Sequence, residues 1–197
     1  MSVYLYDEAL VSKFREITGD ERIHIVPPDN AIEFLASIDN DKVKYPAVVL
    51  SRNSVTLQDY RNQAVSLKGQ SAKINDENLV VKAKLIPLRV EWSVDVFTVD
   101  RFSCDEIIRE LVFYLISYPR LEVKVPYGLD IPQNFDIIVS PEIVDNSDLI
   151  EHSNRGVSFR ETLTIYTENA HFYSSGRKYP VYTGLDFEIK NNDKGDE

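Results

Sequence analysis

The chain has one cysteine, one tryptophan, one methionine, three histidines and only seven glycines among 197 residues. A lone cysteine, Cys104, excludes an internal disulfide, and with no histidine or second cysteine nearby it reads as a small first-turn helix residue rather than a nucleophile. So few glycines leave no phosphate-cradling loop and no dinucleotide fingerprint, and no serine elbow is present either. His24, His152 and His171 are too far apart for a paired metal spacing and read as surface or strand residues. No apolar run approaches the roughly 20 residues of a membrane helix, and the N-terminus has neither a basic start nor an apolar signal core. Positive charge is also in deficit: 22 basic against 32 acidic residues give a formal charge of -10. The basic residues are scattered along the sequence, which disfavours nucleic acid as a ligand. An acidic wall would still let DNA pass without sticking.

What is present is a globular composition, 43% hydrophobic and 11% aromatic, on a chain long enough for one domain with extensions. The strongest local signal runs from Val90 to Pro126. Val90, Trp92, Val94 and Val96 alternate with Glu91, Ser93 and Asp95, the two-residue period of a strand with water on one side. Ser103 stands three residues before Glu106, the spacing of a capping box, and predicts a helix start there. Ile107, Ile108, Leu111, Val112, Leu115 and Ile116 then form its buried face, and Pro119 ends the run.

Upstream, Val3, Leu10, Phe14 and Ile17 outline a first helix that stops at Gly19. Ile23 to Val26 is a short apolar run closed by Pro27 and Pro28, after which Asp29 or Asn30 is placed to cap a short helix through Ala36. Tyr45 to Leu50 reads as a core strand. The polar stretch Ser51 to Asn78 is too long for a structureless loop and predicts an extended hairpin or arm. Leu79 to Val99 exceeds one ordinary strand, and Pro87 predicts two segments. Leu121 to Val125 and Phe135 to Val139 read as a hairpin with a long connection. Pro141 to Asn154 reads as an acidic loop carrying Glu142, Asp145, Asp148 and Glu151, a solvated connection rather than a calcium loop. Gly156 to Tyr166 is a further strand, and Tyr179 to Ile189 an edge strand interrupted by Pro180 and Gly184. The fold expected is α+β: a mixed, largely antiparallel sheet packed by two or three helices, with a long hairpin or arm insertion. Residues 1–189 form one domain in this reading, 51–78 its arm and 190–197 a polar flexible tail.

For chemistry, Glu122 and Lys124 have the acid-spacer-lysine form of a metal-dependent nuclease strand. Chance alone places about two such triplets in a chain of this composition, and there are two, the other being Glu188 and Lys190. No cofactor or metal is expected. Tyrosine is better represented, with 11 residues, and Tyr60, Tyr118, Tyr127, Tyr173, Tyr179 and Tyr182 near loops or strand ends suit protein contacts.

The order of elements, with the stretches Tyr45 to Arg52, Val96 to Glu110 and Phe159 to Tyr166, resembles the tail terminator, or tail completion, proteins of tailed bacteriophages. The resemblance spans most of Met1 to Tyr173. It implies an α/β domain that closes the tail tube as a homo-oligomeric ring, a hexamer, ends tube polymerisation and joins the tail to the head connector, with no reaction catalysed. Implied partners are further copies of the chain, the tail tube protein, the sheath protein where the tail contracts, and the head-tail connector protein. DNA passes through the lumen without specific binding, no membrane is involved, and the location is the virion tail or neck, assembled in the host cytoplasm. The long Ser51 to Asn78 segment and the C-terminal strip depart from the family pattern, so another neck, head-completion or baseplate role is the alternative, and the Glu122 and Lys124 nuclease a further one. The contact residues expected are Tyr60, Arg61, Gln63, Lys68, Tyr179 and Tyr182.

Overall fold

A computed structural model describes residues 3–19, 23–38, 44–58, 65–74, 77–124, 132–147, 159–173 and 177–180. Helix α1, Val3–Thr18, follows the expected stripe, with Tyr6, Leu10 and Phe14 fully buried. It ends at Gly19, which takes the left-handed conformation at φ 61° and returns its N–H to the Arg15 carbonyl at 3.1 Å. Strand β1, His24–Val26, pairs in parallel with β2, Ala47–Leu57. Between them a 3-10 turn, Pro28–Asn30, runs into the short helix α2, Ala31–Ser37. Asn30 occupies the N-cap position, but the expected side-chain cap does not form. Its backbone continues the 3-10 turn, and the Ala31 N–H bonds to the Pro28 carbonyl.

The main sheet has the order β1-β2-β4-β8-β7, where β4 is Glu77–Thr98, β8 is Phe159–Tyr173 and β7 is Ile138–Asp145; every pairing but β1 with β2 is antiparallel. Two further strands, β3 (Val65–Ile74) and β9 (Arg177–Pro180), pair with β4 alone. A separate hairpin joins β5, Arg120–Lys124, to β6, Pro132–Asp136. The α+β class, with three helices and a largely antiparallel mixed sheet, is as expected from the sequence.

On β4 the even positions Val90, Trp92, Val94 and Val96 are fully buried. They pack with α1 and with α3, Arg101–Ser117, and the rung Leu50–Val94–Leu163 continues that apolar face across three strands. The odd face is not given over to water, as the alternation suggested. Phe97, with Ala47 and Val49, is covered by Phe34 of α2, and Asp95, only 3% exposed, accepts bonds from Arg160 at 3.1 Å and Thr162 at 2.5 Å.

Four further expectations are corrected. β4 is one strand of 22 residues rather than two segments. Pro87 is tolerated inside it because β2 gives way to β3 there: Leu57 pairs with Leu88, Val65 with Leu85, and the Pro87 carbonyl accepts from the Gln58 N–H. The proline's missing donor therefore falls in a gap of the ladder. The cap of α3 is Asp100, not Ser103, and its carboxylate accepts from the Ser103 N–H at 2.8 Å, so the helix starts earlier. Ile116 is 65% exposed, since the buried stripe of α3 is Cys104, Ile108, Leu111 and Leu115, and one residue past Leu115 the helix has turned by about 100°. Glu142 and Asp145, expected in a loop, lie on β7; Asp148 and Glu151 fall outside the described residues.

Candidate interaction surface

Where the ladder with β2 and β8 runs out, β4 continues with new neighbours. Residues 77–85 pair with β3 on one side, and residues 79–82 with β9 on the other. Of the stretch 51–78 expected as a hairpin or arm, residues 51–57 belong to β2, and β3 pairs with the start of β4. The nine β4 residues of this three-stranded arm, 77–85, extend roughly 30 Å along the strand direction.

Register decides what the arm presents. Lys82 stands opposite Lys68 on β3 and opposite Arg177 on β9, a row of three basic residues. Opposed residues share a face, and alternate residues along β4 return to it, which adds Lys84. A bulge between Lys68 and Ser71 inserts one extra residue into β3 and so brings Lys73 to the same face as Lys68. The alternate positions of β4, Glu77, Leu79, Val81, Ala83 and Leu85, stand level with Ile74, Ala72, Leu67 and Val65 of β3 and with Lys178 and Pro180 of β9. In the body the even positions of β4 are apolar and pack with α1 and α3; in the arm Leu79, Val81, Ala83 and Leu85 stand at odd positions of the sequence.

The scatter of basic residues noted in the sequence is undone by this pairing. The three arm strands carry six basic residues against one acidic residue, leaving 16 against 31 for the rest of the chain. Of the expected contact residues, Lys68 and Tyr179 lie on the arm, Tyr179 opposite Val80; Tyr60, Arg61, Gln63 and Tyr182 lie outside the described residues. The sequence reading missed Lys73, Lys82, Lys84 and Arg177, whose alignment no local pattern reports.

A second surface lies on α3. Phe102, Glu106, Arg109 and Phe113 recur at helical spacing directly opposite the buried stripe, with Ile116 at their flank. Phe102 is 71% and Phe113 69% exposed, and Arg109 meets Glu106 at 3.5 Å between them. Next to the start of α3 is the end of β7, where Ile143, level with Leu163, lies on the helix side of the sheet and is half-exposed. Arg101 reaches Asp145 at 3.3 Å across this junction. Glu161 of β8 is pushed up to about 7, first by burial and then by its hydrogen bond to Asp105 and that residue's charge. Asp105, Glu106, Glu110, Glu142 and Asp145 make the surroundings acidic.

The candidate reactive groups are held otherwise. Burial raises the Cys104 thiol to about 11, and Sγ, fully buried, lies 3.6 Å from the Val96 carbonyl to which it donates. Glu122 is exposed on β5 and lines a groove of about 750 Å³ against α1, with Glu8, Glu16 and Lys13. Lys13 is engaged in bonds to the carbonyls of Tyr118 and Arg120 at 2.6 and 2.8 Å. No group of three His, Cys, Asp or Glu residues converges on a cation position among the described residues. His171 is half-buried, which lowers its pKa, and its backbone exchanges bonds with the Tyr6 hydroxyl at 2.7 and 3.1 Å. His152, Glu188 and Lys190 lie outside the described residues.

No family model matches this chain, and no curated protein matches it. Among solved structures it is similar to the PVC sheath/tube terminator of an extracellular contractile injection system, in its extended state and determined by cryo-EM. The TM-score is 0.46 at 12% identity, over 94% of this chain. This chain spans 64% of that structure's length.

Proposed function

We propose that this chain is a structural assembly protein of a tailed phage, a tail terminator that caps the tail tube as a ring, ends polymerisation and joins tail to head connector, without catalysing a reaction. The reading takes residues 1–189 as one domain that carries the arm, with contacts through Tyr60, Arg61, Gln63, Lys68, Tyr179 and Tyr182. The resemblance in element order supports it. The observation that carries it furthest is the arm: six basic residues on three paired strands of an otherwise acidic chain, with Lys68, Lys82 and Arg177 level across them. Such a ribbon is suited to contacts between protein chains, where strand pairing and apolar burial supply affinity and cyclic symmetry supplies closure.

The test is electron microscopy of the purified chain mixed with growing tail tubes. Tube ends capped by a ring and halted in length are expected. Tubes that grow unchanged and bind no chain overturn the proposal, as does divalent-metal-dependent cleavage of plasmid DNA that is lost in Glu122→Ala.

A further inference from the structure

We infer that the cleft between α1 and the 3-10 turn Pro28–Asn30 is a receptor for a lysine side chain presented by a partner protein. Its volume, about 380 Å³, suits one long side chain with its adjoining backbone. One wall comes from helical spacing: Tyr4, Asp7, Val11 and Arg15 follow one another at three or four residues, with Glu8 beside Asp7, along one side of α1. Pro27, Pro28 and Asp29 make the other. That second wall is stiff, because proline fixes its own φ and the Asn30 N–H bonds back to the Pro27 carbonyl at 3.0 Å. The cleft is therefore formed before a ligand enters, and binding need not order it.

Three observations give the chemistry of the occupant. First, the cleft has a nearly buried charge in its lining: Asp7 is 4% exposed. Its two oxygens take one bond each, from Trp92 and from Arg52, and a carboxylate can accept more. Second, Glu8 and Asp29 also line the cleft, and among the described residues neither forms an ion pair. The Tyr4 hydroxyl is raised in pKa, first by its hydrogen bond to Glu8, then by the charge of Glu8, by burial and by the charges of Asp29 and Asp7. Burial raises Asp7 first, and the charge of Asp29 adds to it. Negative potential thus converges on one end of the cleft. Third, that end is not only acidic. The ring of Tyr4, 54% exposed, stands there with Val11, Pro27 and Pro28, surfaces on which the stem of a long cation packs while the ring face attracts its charge.

Lysine is favoured over arginine because its ammonium has three donors that point apart, one for each of Asp7, Glu8 and Asp29, whereas the planar guanidinium is matched to one carboxylate. Arg15 selects the source. It lies two turns beyond Glu8, about 10 Å along α1, lines the same cleft and forms no ion pair among the described residues. A free diamine would bring a second positive charge toward it. A lysine within a polypeptide brings only neutral backbone, so the occupant is a protein side chain.

Trp92 is the chain's one tryptophan, and its indole N–H is bonded to Asp7 at 2.8 Å, so its fluorescence and its indole N–H resonance report on the cleft. N-acetyl-lysine methylamide is expected to shift both saturably, with half-saturation on the order of 1 mM. The norleucine analogue, the same stem without the charge, is expected to shift neither, and cadaverine to bind at least about fivefold more weakly than the lysine probe. Asp29→Asn and Tyr4→Leu, both at exposed positions, are each expected to weaken the lysine probe by about fivefold. Glu110→Gln, exposed on α3 and outside the cleft, is expected to leave binding unchanged. An equal loss in Glu110→Gln overturns the inference, since it would show only the general attraction of a chain of charge -10. So do norleucine shifts equal to those of lysine, cadaverine binding as tightly, unaltered binding in both cleft variants, or no shift at about twentyfold the expected constant. The terminator proposal makes no use of this cleft, so neither falls with the other.

Discussion

Asp7 is the residue on which two layers of the body are tied. Its carboxylate is almost fully buried under α1, accepts the indole N–H of Trp92 at 2.8 Å and meets Arg52 at 2.6 Å. Burial raises its pKa, while Trp92 and Arg52 pull it back down. Replacing it, as Asp7→Ala, lets Arg52 turn to water but strands the buried indole donor, so a loss of about 1–3 kcal/mol is expected in urea unfolding. A variant as stable as the parent would show the tie to be dispensable. Glu161 has a pH consequence. Its folded pKa of about 7 stands above the ordinary 4.5, so the fold favours its protonated form. That contribution is complete below pH 4.5 and is lost as pH rises through about 7. His171, lowered by burial, has the opposite slope, and its contribution is lost as pH falls below 6.5. Comparison with Glu161→Gln removes that background. The melting temperature of Glu161→Gln is expected to gain on the parent from pH 4.5 to about pH 7 and to level off above it, and a constant difference would refute the assignment. Neither Asp7 nor Glu161 drew attention in the sequence. An Asp one turn into a helix, or a Glu in a strand, looks like any solvated charge until the tertiary packing removes the water.

At the scale of elements, α3 and β4 show what local pattern conveys. The helix was legible from its apolar spacing and its terminal proline, yet its start was misplaced, because Asp100-x-x-Ser103 and Ser103-x-x-Glu106 are both plausible caps. The backbone conformation chooses: Asp100 is extended and its carboxylate receives the Ser103 N–H. That bond also holds the Asp100 pKa below its usual value. Asp100→Ala is therefore expected to lower the melting temperature more than Ser103→Ala, which keeps the backbone donor. Equal losses would restore Ser103 as an equal contributor. The strand was legible from its alternation, while its length was not. Pro87 ordinarily ends a strand, and only the handover from β2 to β3 at that residue gives its missing N–H a position where no partner is needed.

For the whole molecule, the division between body and arm is the feature that separates stability from assembly. Leu57 and Leu88 are paired, so a two-residue Asn-Gly turn between them would close β2 and β4 as a hairpin and delete the arm. That chain, ended after Tyr173 to remove β9, is expected to keep a cooperative urea transition, since the body has its own buried clusters around Trp92 and around Phe97, and to lose self-association. Collapse of the fold would show that the arm belongs to the core. The sequence by itself determined the helices, the alternating core strands and the α+β class, though not β7, because two- and 3.6-residue periods, caps and prolines act within a few residues. Only the tertiary structure decided that Lys68 and Arg177 stand level with Lys82, and that β4 runs on through Pro87. Register and bulges are settled by pairing between strands distant in sequence, and a shift of one residue would send every side chain to the other face.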